Sequence, residues 1–316
     1  MGSILARIPS KAHADVWQSQ DRGDTWQELA KPPWKPRFGH HTVIFDDDTV
    51  VLTGGHTGIE LLRDAWRSRD GGHSWEELPA IPFAARRGHR SIVVPSTQAM
   101  VVAGGWNGSL RMNDVWLSRD QGDSWQDMGN APWSPRYTFA IVACADSSLL
   151  VLGGDSAHPS LPGFLQDVWR SEDEGLTWTE LPKPPWPGRR GHQVLRWKDG
   201  SVVMFGGVRA NGERLADIWR SPDRGETWVE IPTPEWEPRF SFGAVILPDT
   251  SQLILAGHGS GALQDVWRSS ERGKAKRSGK RGPSWTALET PPWPARFSFG
   301  VVVRSDSTIL VLGGWA

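Results

Sequence analysis

Cysteine is nearly absent from this chain of 316 residues, which contains only Cys144. A single cysteine excludes an intramolecular disulfide and zinc sites built from CxxC pairs. An excess of charge of one sign is also lacking, because 35 Lys and Arg residues balance 36 Asp and Glu residues. A general nucleic-acid or membrane-surface binder would carry a basic excess. We therefore expect neither nucleic acid nor membrane as a partner.

Long apolar runs are missing as well. No stretch reaches the ~18 apolar residues of a membrane-spanning helix. The first residues, MGSILARIPSKAHAD, lack the apolar region and the cleavage site of a secretory signal. Turn-forming residues and tryptophan are abundant instead, with 35 Gly, 24 Pro and 20 Trp. This composition predicts a cytoplasmic protein made of short strands joined by turns.

One phrase recurs six times along the chain, for example as DVWQSQDRGDTW and DAWRSRDGGHSW. The six copies begin at Asp15, Asp64, Asp114, Asp167, Asp217 and Asp265. A P-R-x-G-H-like phrase accompanies each copy, together with an apolar run that ends in Gly-Gly in all units but the fifth, which has LILAGH, so that one unit reads as four short strands. Six repeats of about 50 residues, each with four antiparallel strands, are typical of a β-propeller.

The two ends of the chain are out of phase with this unit. The chain begins with the third and fourth strands of a unit and stops after the first and second, so we expect the ends to complete one blade together. The predicted blades span residues 36–82, 85–132, 135–185, 188–235, 238–292, and 295–316 joined with 13–33. The sequence thus predicts an all-β propeller of six four-stranded blades, in a single domain and as a monomer.

The repeated phrases resemble the kelch repeat, as PRFGHHTVIF, VVLTGG and SWEELP of the first unit illustrate. The turn between the third and fourth strands departs from kelch and is similar to the Asp-box, S-x-D-x-G-x-[ST]-W, of sialidases and related propellers. SRDGGHSW and SPDRGETW match that pattern in full. In Asp-box families this turn lies away from the active centre, and its carboxylate can accept backbone N–H bonds. We interpret the box as a structural turn.

Every unit has an arginine at the start of its first strand. These residues are Arg37, Arg86, Arg136, Arg189, Arg239 and Arg296. If they form a positive ring at the mouth of the channel, they would suit carboxylate, sulfate or phosphate groups, and the kelch resemblance implies contact with acidic peptides. The alternative is structural: each guanidinium group would bind loop carbonyls or stack on a nearby tryptophan.

The residues that follow the Gly-Gly pairs differ among the blades. They are His56, Trp106, Asp155, Val208, Gly259 and Trp315, if His258 replaces the second glycine of the fifth unit. Differing residues at equivalent places are where selectivity can reside. We therefore predict that His56, Trp106, Asp155 and Trp315 contribute to ligand binding together with the arginines.

Three histidines follow the arginines at the same spacing, namely His40, His89 and His192. Neutral imidazoles ligate zinc or iron, so these residues are a candidate metal set, although phenylalanine takes their place in the other three blades and favours a packing role. We predict no cofactor. Sialidase-type chemistry requires a tyrosine nucleophile paired with a glutamate, and the only tyrosine, Tyr137, lies in a repeat position.

Three functions remain open on this basis. The main prediction is a non-catalytic module that binds an acidic peptide or protein. The alternatives are a small-molecule or glycan site, with Trp106 and Trp315 stacking on rings, and a metal-dependent enzyme that uses the histidine set. The basic insertion KAKRSGKRG at residues 274–282 is either a solvated hairpin extension or a nuclear-localisation or anion-binding segment.

Overall fold

A computed structural model describes residues 11–156, 163–270 and 284–316 of the protein. Within these ranges all regular elements are β-strands, and there is no helix of the length and apolarity needed to cross a membrane. The strands form six four-stranded antiparallel sheets. The prediction of a six-bladed, all-β propeller is confirmed.

The chain begins with two strands of the blade that closes the ring, β1 (Val16–Ser19) and β2 (Gln27–Glu28). Blade one consists of β3 (His41–Ile44), β4 (Val50–Thr53), β5 (Ala65–Ser68) and β6 (Glu76–Glu77). Blade two consists of β7 (Arg90–Val93), β8 (Met100–Trp106), β9 (Arg111–Ser118) and β10 (Gln126–Asn130). Blade three consists of β11 (Ala140–Ala143), β12 (Leu149–Leu152), β13 (Val168–Ser171) and β14 (Thr179–Glu180).

The second half of the ring repeats this arrangement. Blade four consists of β15 (Gln193–Arg196), β16 (Val202–Val208), β17 (Arg214–Ser221) and β18 (Val229–Ile231). Blade five consists of β19 (Gly243–Ile246), β20 (Gln252–His258), β21 (Ala262–Ser270) and β22 (Ser284–Ala287). Blade six combines β23 (Gly300–Val303) and β24 (Ile309–Leu312) with β1 and β2.

Blade six therefore joins the two ends of the chain in one sheet. Its strand order is β2-β1-β24-β23, and β1 pairs antiparallel with β24, with Trp17 opposite Val311. The out-of-phase ends of the sequence predicted this closure. Because β1 and β24 are the two inner strands of the sheet, the closing contact is a full backbone ladder rather than a side-chain contact.

The apolar core lies between neighbouring blades. Val101 of blade two and Leu149 of blade three share one buried cluster with Trp133 and Trp178. The ring planes of Trp133 and Trp178 meet at 84° with centroids 6.1 Å apart, an edge-to-face geometry that aromatic pairs favour. The tryptophans of the Pro-rich joints and of the Asp-boxes thus pack against each other where the blades meet.

Each Asp-box turn is held by its own side chains, as blade two illustrates. Asp120 Oδ1 accepts hydrogen bonds from Ser118 Oγ and from the Ser124 backbone N–H, both at 2.8 Å, and its Oδ2 accepts one from Ser124 Oγ at 2.5 Å. The Gly122 N–H donates to Ser118 Oγ at 2.8 Å. The carboxylate is occupied within the turn, which supports the interpretation of the box as a structural element.

Candidate functional site

The six arginines at the starts of the first strands lie inside the blades. Each side chain is only 0–1% exposed and forms a two-armed ion pair with the aspartate that opens the third strand of its blade. In blade three, Arg136 Nη1 and Nη2 lie 2.9 and 2.6 Å from the two carboxylate oxygens of Asp167. The other pairs are Arg37–Asp64, Arg86–Asp114, Arg189–Asp217, Arg239–Asp265 and Arg296–Asp15.

The other N–H groups of these arginines donate hydrogen bonds to backbone carbonyls of the protein. Arg136 Nε donates to the Ser134 carbonyl at 3.1 Å, and Nη1 also donates to the Gly153 carbonyl at 2.9 Å. The Trp133 ring lies 5.1 Å from the guanidinium carbon. The expectation of six ligand-binding arginines at the mouth therefore needs correction: Arg37, Arg86, Arg136, Arg189, Arg239 and Arg296 are buried and paired, and their contacts are those of the structural alternative.

A closed ring of backbone hydrogen bonds surrounds the propeller axis two residues after these arginines. We call it the backbone ring, and it consists of Gly39, Gly88, Thr138, Gly191, Ser241 and Ser298. All six residues have a φ between 52° and 64°. Each donates its N–H to the carbonyl of the ring residue in the preceding blade at 2.7–2.8 Å, and the Gly39 N–H closes the circle on the Ser298 carbonyl.

The residue between each buried arginine and the backbone ring faces the mouth of the channel. These six residues, the mouth ring, are Phe38, Arg87, Tyr137, Arg190, Phe240 and Phe297. They line a cavity of about 240 Å³ together with residues of the backbone ring. The mouth ring thus combines four aromatic side chains with two guanidinium groups.

The residues after the Gly-Gly pairs meet the mouth ring through single β-bridges. His56 pairs with Phe38 and Trp106 pairs with Arg87; the other such bridges are Asp155 with Tyr137, Val208 with Arg190, His258 with Phe240 and Trp315 with Phe297. His56, Trp106, Asp155 and Trp315 are therefore brought to one face of the propeller.

This register corrects one assignment in blade five. The residue of blade five that forms a β-bridge to the mouth ring is His258. His258, and not Gly259, is therefore the equivalent of His56 and Trp106. Ala256 is the residue that takes a glycine place, with a φ of 48°, and Gly257 is the second member of the pair, with a φ of 104°. The sequence LILAGH allowed either alignment, because only one of its residues is glycine.

Asp155 compensates the charge on one side of the mouth. Its Oδ1 lies 2.8 Å from Arg111 Nη2, and its Oδ2 lies 3.0 Å from Arg190 Nη1. Arg190 Nη1 also donates to Tyr137 Oη at 2.7 Å. Because Asp155 is only 7% exposed, it orients the two arginines more than it presents charge to solvent.

Arg87 is the other arginine of the mouth ring, and in the described ranges no carboxylate lies within ion-pair distance of it. Its guanidinium carbon lies 4.8 Å from the centroid of Trp106 and 5.4 Å from that of Phe38. Its Nε is buried and has no hydrogen-bond partner among the residues that the structure describes. Burial lowers the pKa of Arg87, and the positive charge of Arg190 contributes to the shift.

Sequence reasoning missed Arg87, although a signal was present. In four of the six units the equivalent residue is aromatic, and Arg87 interrupts that pattern as the second member of an Arg-Arg pair. The consensus arginine beside it, Arg86, is the buried one. Arg87, which departs from the repeat, therefore has an uncompensated charge, whereas the charge of the recurring Arg86 is paired.

Exposed apolar side chains lie on the loops between the second and third strands of blades one and two. Ile59 is 95% exposed and Leu110 is 67% exposed. A methyl group built on Gly108 would lie 3.3 Å from Leu61 Cδ1, so the loops of blades one and two are adjacent. We call Ile59, Leu61, Trp106, Leu110 and Trp315 the apolar rim.

The candidate metal set is buried and is not assembled into a site. His40, His89 and His192 are 4%, 1% and 0% exposed. Burial lowers the pKa of His40 to about 3, to which Arg37 contributes, and holds those of His89 and His192 well below the usual value. Among the described residues no three metal-ligating side chains converge. The basic insertion 274–282 lies outside the described residues.

One protein-family model, described as the BNR-Asp box repeat, matches residues 218–231. This segment includes part of β17, the Asp-box turn of blade four and β18. No curated protein matches the chain. Together with the six sheets, the match identifies a β-propeller that carries Asp-box repeats.

Proposed function

We propose that this protein is a non-catalytic, kelch-type binding module that holds an acidic segment of a peptide or protein at the mouth of its propeller. The observation that carries the proposal is Arg87, whose guanidinium group lies in the mouth ring without an acidic partner among the described residues. The kelch assignment rests on the P-R-x-G-H phrases and the Gly-Gly pairs of the sequence.

The surroundings of Arg87 favour a carboxylate ligand. A guanidinium group presents a planar fork of donors that matches the two oxygens of a carboxylate. Trp106 and Phe38 lie against Arg87 and restrict its side chain, so that little conformational entropy is lost on binding. An arginine held between aromatic rings is a common anchor of interfaces.

The apolar rim favours a peptide or protein over an isolated ion. Ile59 and Leu110 expose most of their side chains on the loops of blades one and two, and such surface stabilises a complex only when a ligand covers it. A peptide with an acidic residue flanked by apolar residues complements both features. Its carboxylate would reach Arg87 while its apolar side chains cover the two loops.

A small anionic molecule or a glycan is the second candidate. The observation in its favour is the mouth cavity of about 240 Å³, lined by four aromatic side chains and two guanidinium groups. Arg87 lies over the Trp106 indole at 4.8 Å, and a tryptophan ring beside a guanidinium group suits a ligand that has both a sugar ring and an anionic group. This candidate also binds through Arg87. Unlike the peptide, it does not require contact with the loops that carry Ile59 and Leu110.

The experiment is to probe the intact protein with an array of acidic peptides and with a glycan array, followed by titration of the best ligand by calorimetry. Arg87→Ala should weaken binding by more than about 30-fold if the residue is an anchor. The matched control is Arg209→Ala, which removes an arginine that already pairs with Glu213 at 2.7 Å on the same face. That control should keep the wild-type affinity.

Two further variants separate the two candidates. Ile59→Ser and Leu110→Ser should weaken a peptide ligand, because both side chains lose apolar contact, but they should leave a glycan or small anion unaffected. Glycan binding with no peptide binding would replace the first candidate by the second. A ligand that binds the Arg87→Ala variant as tightly as the wild type would overturn both.

A further inference from the structure

The innermost strand of each blade lines a central channel with a volume of about 370 Å³. The first residues of these strands form one level of the channel wall, which we call the channel layer: His41, Arg90, Ala140, Gln193, Gly243 and Gly300. Three of these six side chains are polar, whereas the following positions of the strands are mostly Val, Ile and Leu. Polar chemistry in the channel is thus concentrated at this layer.

Arg90 is the cation of the channel layer and has no counter-ion there. Its Nε donates to the Phe139 carbonyl of the next blade at 2.5 Å. None of the described residues that line the channel is an aspartate or a glutamate, and no described carboxylate lies within ion-pair distance of Arg90. Arg86, only four positions earlier, shows the contrast, because its guanidinium group is paired with Asp114.

The charge of Arg90 acts across the channel. Burial lowers the pKa values of His41 in blade one and His192 in blade four, and the positive charge of Arg90 lowers both further. Burial also lowers the pKa of Arg90 itself, to about 10. A cation in a confined site is stabilised by a counter-ion or by hydrogen bonds. Among the described residues only the Nε of Arg90 has an acceptor, so its Nη groups are available to an anion.

Two other residues of the channel layer, His41 and Gln193, offer hydrogen-bonding groups to a ligand. The Ser91 N–H lies 3.3 Å from His41 Nδ1, so a neutral His41 imidazole carries its proton on Nε2 and can donate it to a ligand. Gln193 Nε2 donates to the Phe242 carbonyl at 2.7 Å, which leaves its Oε1 as an acceptor. The layer thus offers guanidinium and imidazole donors and one amide acceptor.

We propose that the central channel is a second binding site, separate from the mouth, that holds a small oxyanion through Arg90 with His41 Nε2–H as a second donor. Carboxylate, phosphate and sulfate share the chemistry that this pair of donors recognises. The channel volume of about 370 Å³ lies within the range of ligand sites, about 300–1,000 Å³. It accommodates such an anion together with several waters, at about 30 Å³ each.

The experiment is to measure the unfolding equilibrium of the full chain in the presence of sodium phosphate, sulfate or glutarate, with sodium chloride holding the ionic strength constant. A ligand that binds only the folded state at ten times its Kd shifts this equilibrium about elevenfold. We expect a saturable shift for at least one of the three anions. The separate arms distinguish a free inorganic anion from a carboxylate such as an acidic side chain.

Two variants locate the site. Arg90→Gln should abolish the saturable shift, and Arg90→Lys should retain part of it because the charge is kept. The same comparison is made in an Arg87→Gln background, which removes the anchor proposed at the mouth, so that the part of the shift that still depends on Arg90 belongs to the channel and failure of the channel proposal and failure of the mouth proposal are distinguishable. An equal shift in the wild type and in Arg90→Gln, or no saturable shift with any of the three anions, would overturn the proposal.

A second measurement does not depend on whether the Arg90 variants fold. In the wild-type protein, the imidazole resonances of His41 should move in a saturable way as the effective anion is added, with the same Kd as the stability measurement. The resonances of the exposed His73 serve as the control and should not saturate with that Kd. If the His41 resonances do not move at anion concentrations that saturate the stability shift, the anion binds elsewhere and the channel site is wrong.

Discussion

Arg296 and Asp15, which are 281 positions apart in the chain, form a two-armed ion pair with both N···O distances at 2.8 Å. The same pair occurs inside every other blade between residues 26–31 positions apart. In blade six it connects the two ends of the chain. Burial raises the pKa of Asp15, but hydrogen bonds and the charge of Arg296 outweigh it and keep that pKa below the usual value.

The first prediction compares this pair with its equivalent in blade one. Asp15→Ala and Asp64→Ala should each destabilise the protein by about 3–5 kcal/mol, because each leaves a buried guanidinium group without its carboxylate. Urea denaturation measures both losses. Only Asp15→Ala should also increase amide hydrogen exchange selectively in β1 and β2, because only these strands are held by the closing pair. Equal exchange of β1 and β2 in both variants would contradict this expectation.

The second prediction concerns the buried histidines and pH. The pKa of His40 is about 3 in the folded protein, whereas an unfolded histidine titrates near 6.5. The unfolded state therefore binds a proton that the folded state excludes, and stability is full above about pH 6.5 and falls as the pH decreases toward 3. His40→Phe, which copies Phe139 of blade three, should reduce the loss of stability between pH 7.5 and 5 by about 2 kcal/mol.

The reciprocal variant checks the cause of this effect. Phe139→His places a histidine at the equivalent buried position and should increase the loss of stability over the same pH range. Urea denaturation at the two pH values measures each change. If His40→Phe and the wild type lose the same stability between pH 7.5 and 5, the imidazole at this position does not govern the acid sensitivity.

The third prediction tests the Asp-box of blade three. Asp173 accepts hydrogen bonds from Ser171 Oγ, the Thr177 N–H and Thr177 Oγ1 at 2.9, 2.8 and 2.5 Å. Asp173→Ala should lower the free energy of unfolding by about 1–3 kcal/mol, since these donors lose their acceptor. Leu176→Ala alters an exposed residue of the same turn and should change stability by less than about 0.5 kcal/mol. Ligand affinity of the folded protein should be unaffected in both variants.

The fourth prediction concerns the first glycine of the Gly-Gly pairs. Gly153 has a φ of 53°, and a Cβ there would lie 2.9 Å from the Arg189 carbonyl. Gly129→Ala is the control, because Gly129 has a φ of 82° but open space around it. Both variants bear the cost of a positive φ, about 1–2 kcal/mol, and Gly153→Ala should be the less stable of the two. If the two variants have equal urea midpoints, the Arg189 carbonyl moves away from the new methyl group without a loss of stability.

The fold could be predicted from the sequence because each unit repeats the same local signals, and the same repetition misled the prediction of the site. The recurrence of Arg136 and its equivalents predicts a binding ring, but Asp167 and its equivalents recur in every unit too. A cation and an anion that recur together indicate an internal pair. Their bonding depends on a distance across the blade that sequence spacing alone does not give.

The residues with uncompensated charge could be recognised only by their departure from the repeat. Arg87 stands where four other units have an aromatic residue, and Arg90 stands where the others have Ala, Gly, Gln or His. Whether such a residue lacks a partner depends on neighbouring blades, which bring together residues far apart in the chain, 35 positions for Arg190 and Asp155. Asp155 compensates Arg190 in this way at 3.0 Å, and no repeat position predicts that contact.

The backbone ring also fixes the number of repeats. Each blade contributes one residue to a circle in which every N–H and every carbonyl already has its partner at 2.7–2.8 Å. A duplicated unit inserted by recombination would have to break one of these links and widen the whole circle, since no member has a free backbone group to receive it. In evolutionary terms the protein can diverge readily in its loops, whereas gaining or losing one blade would require all six ring residues to change their geometry together.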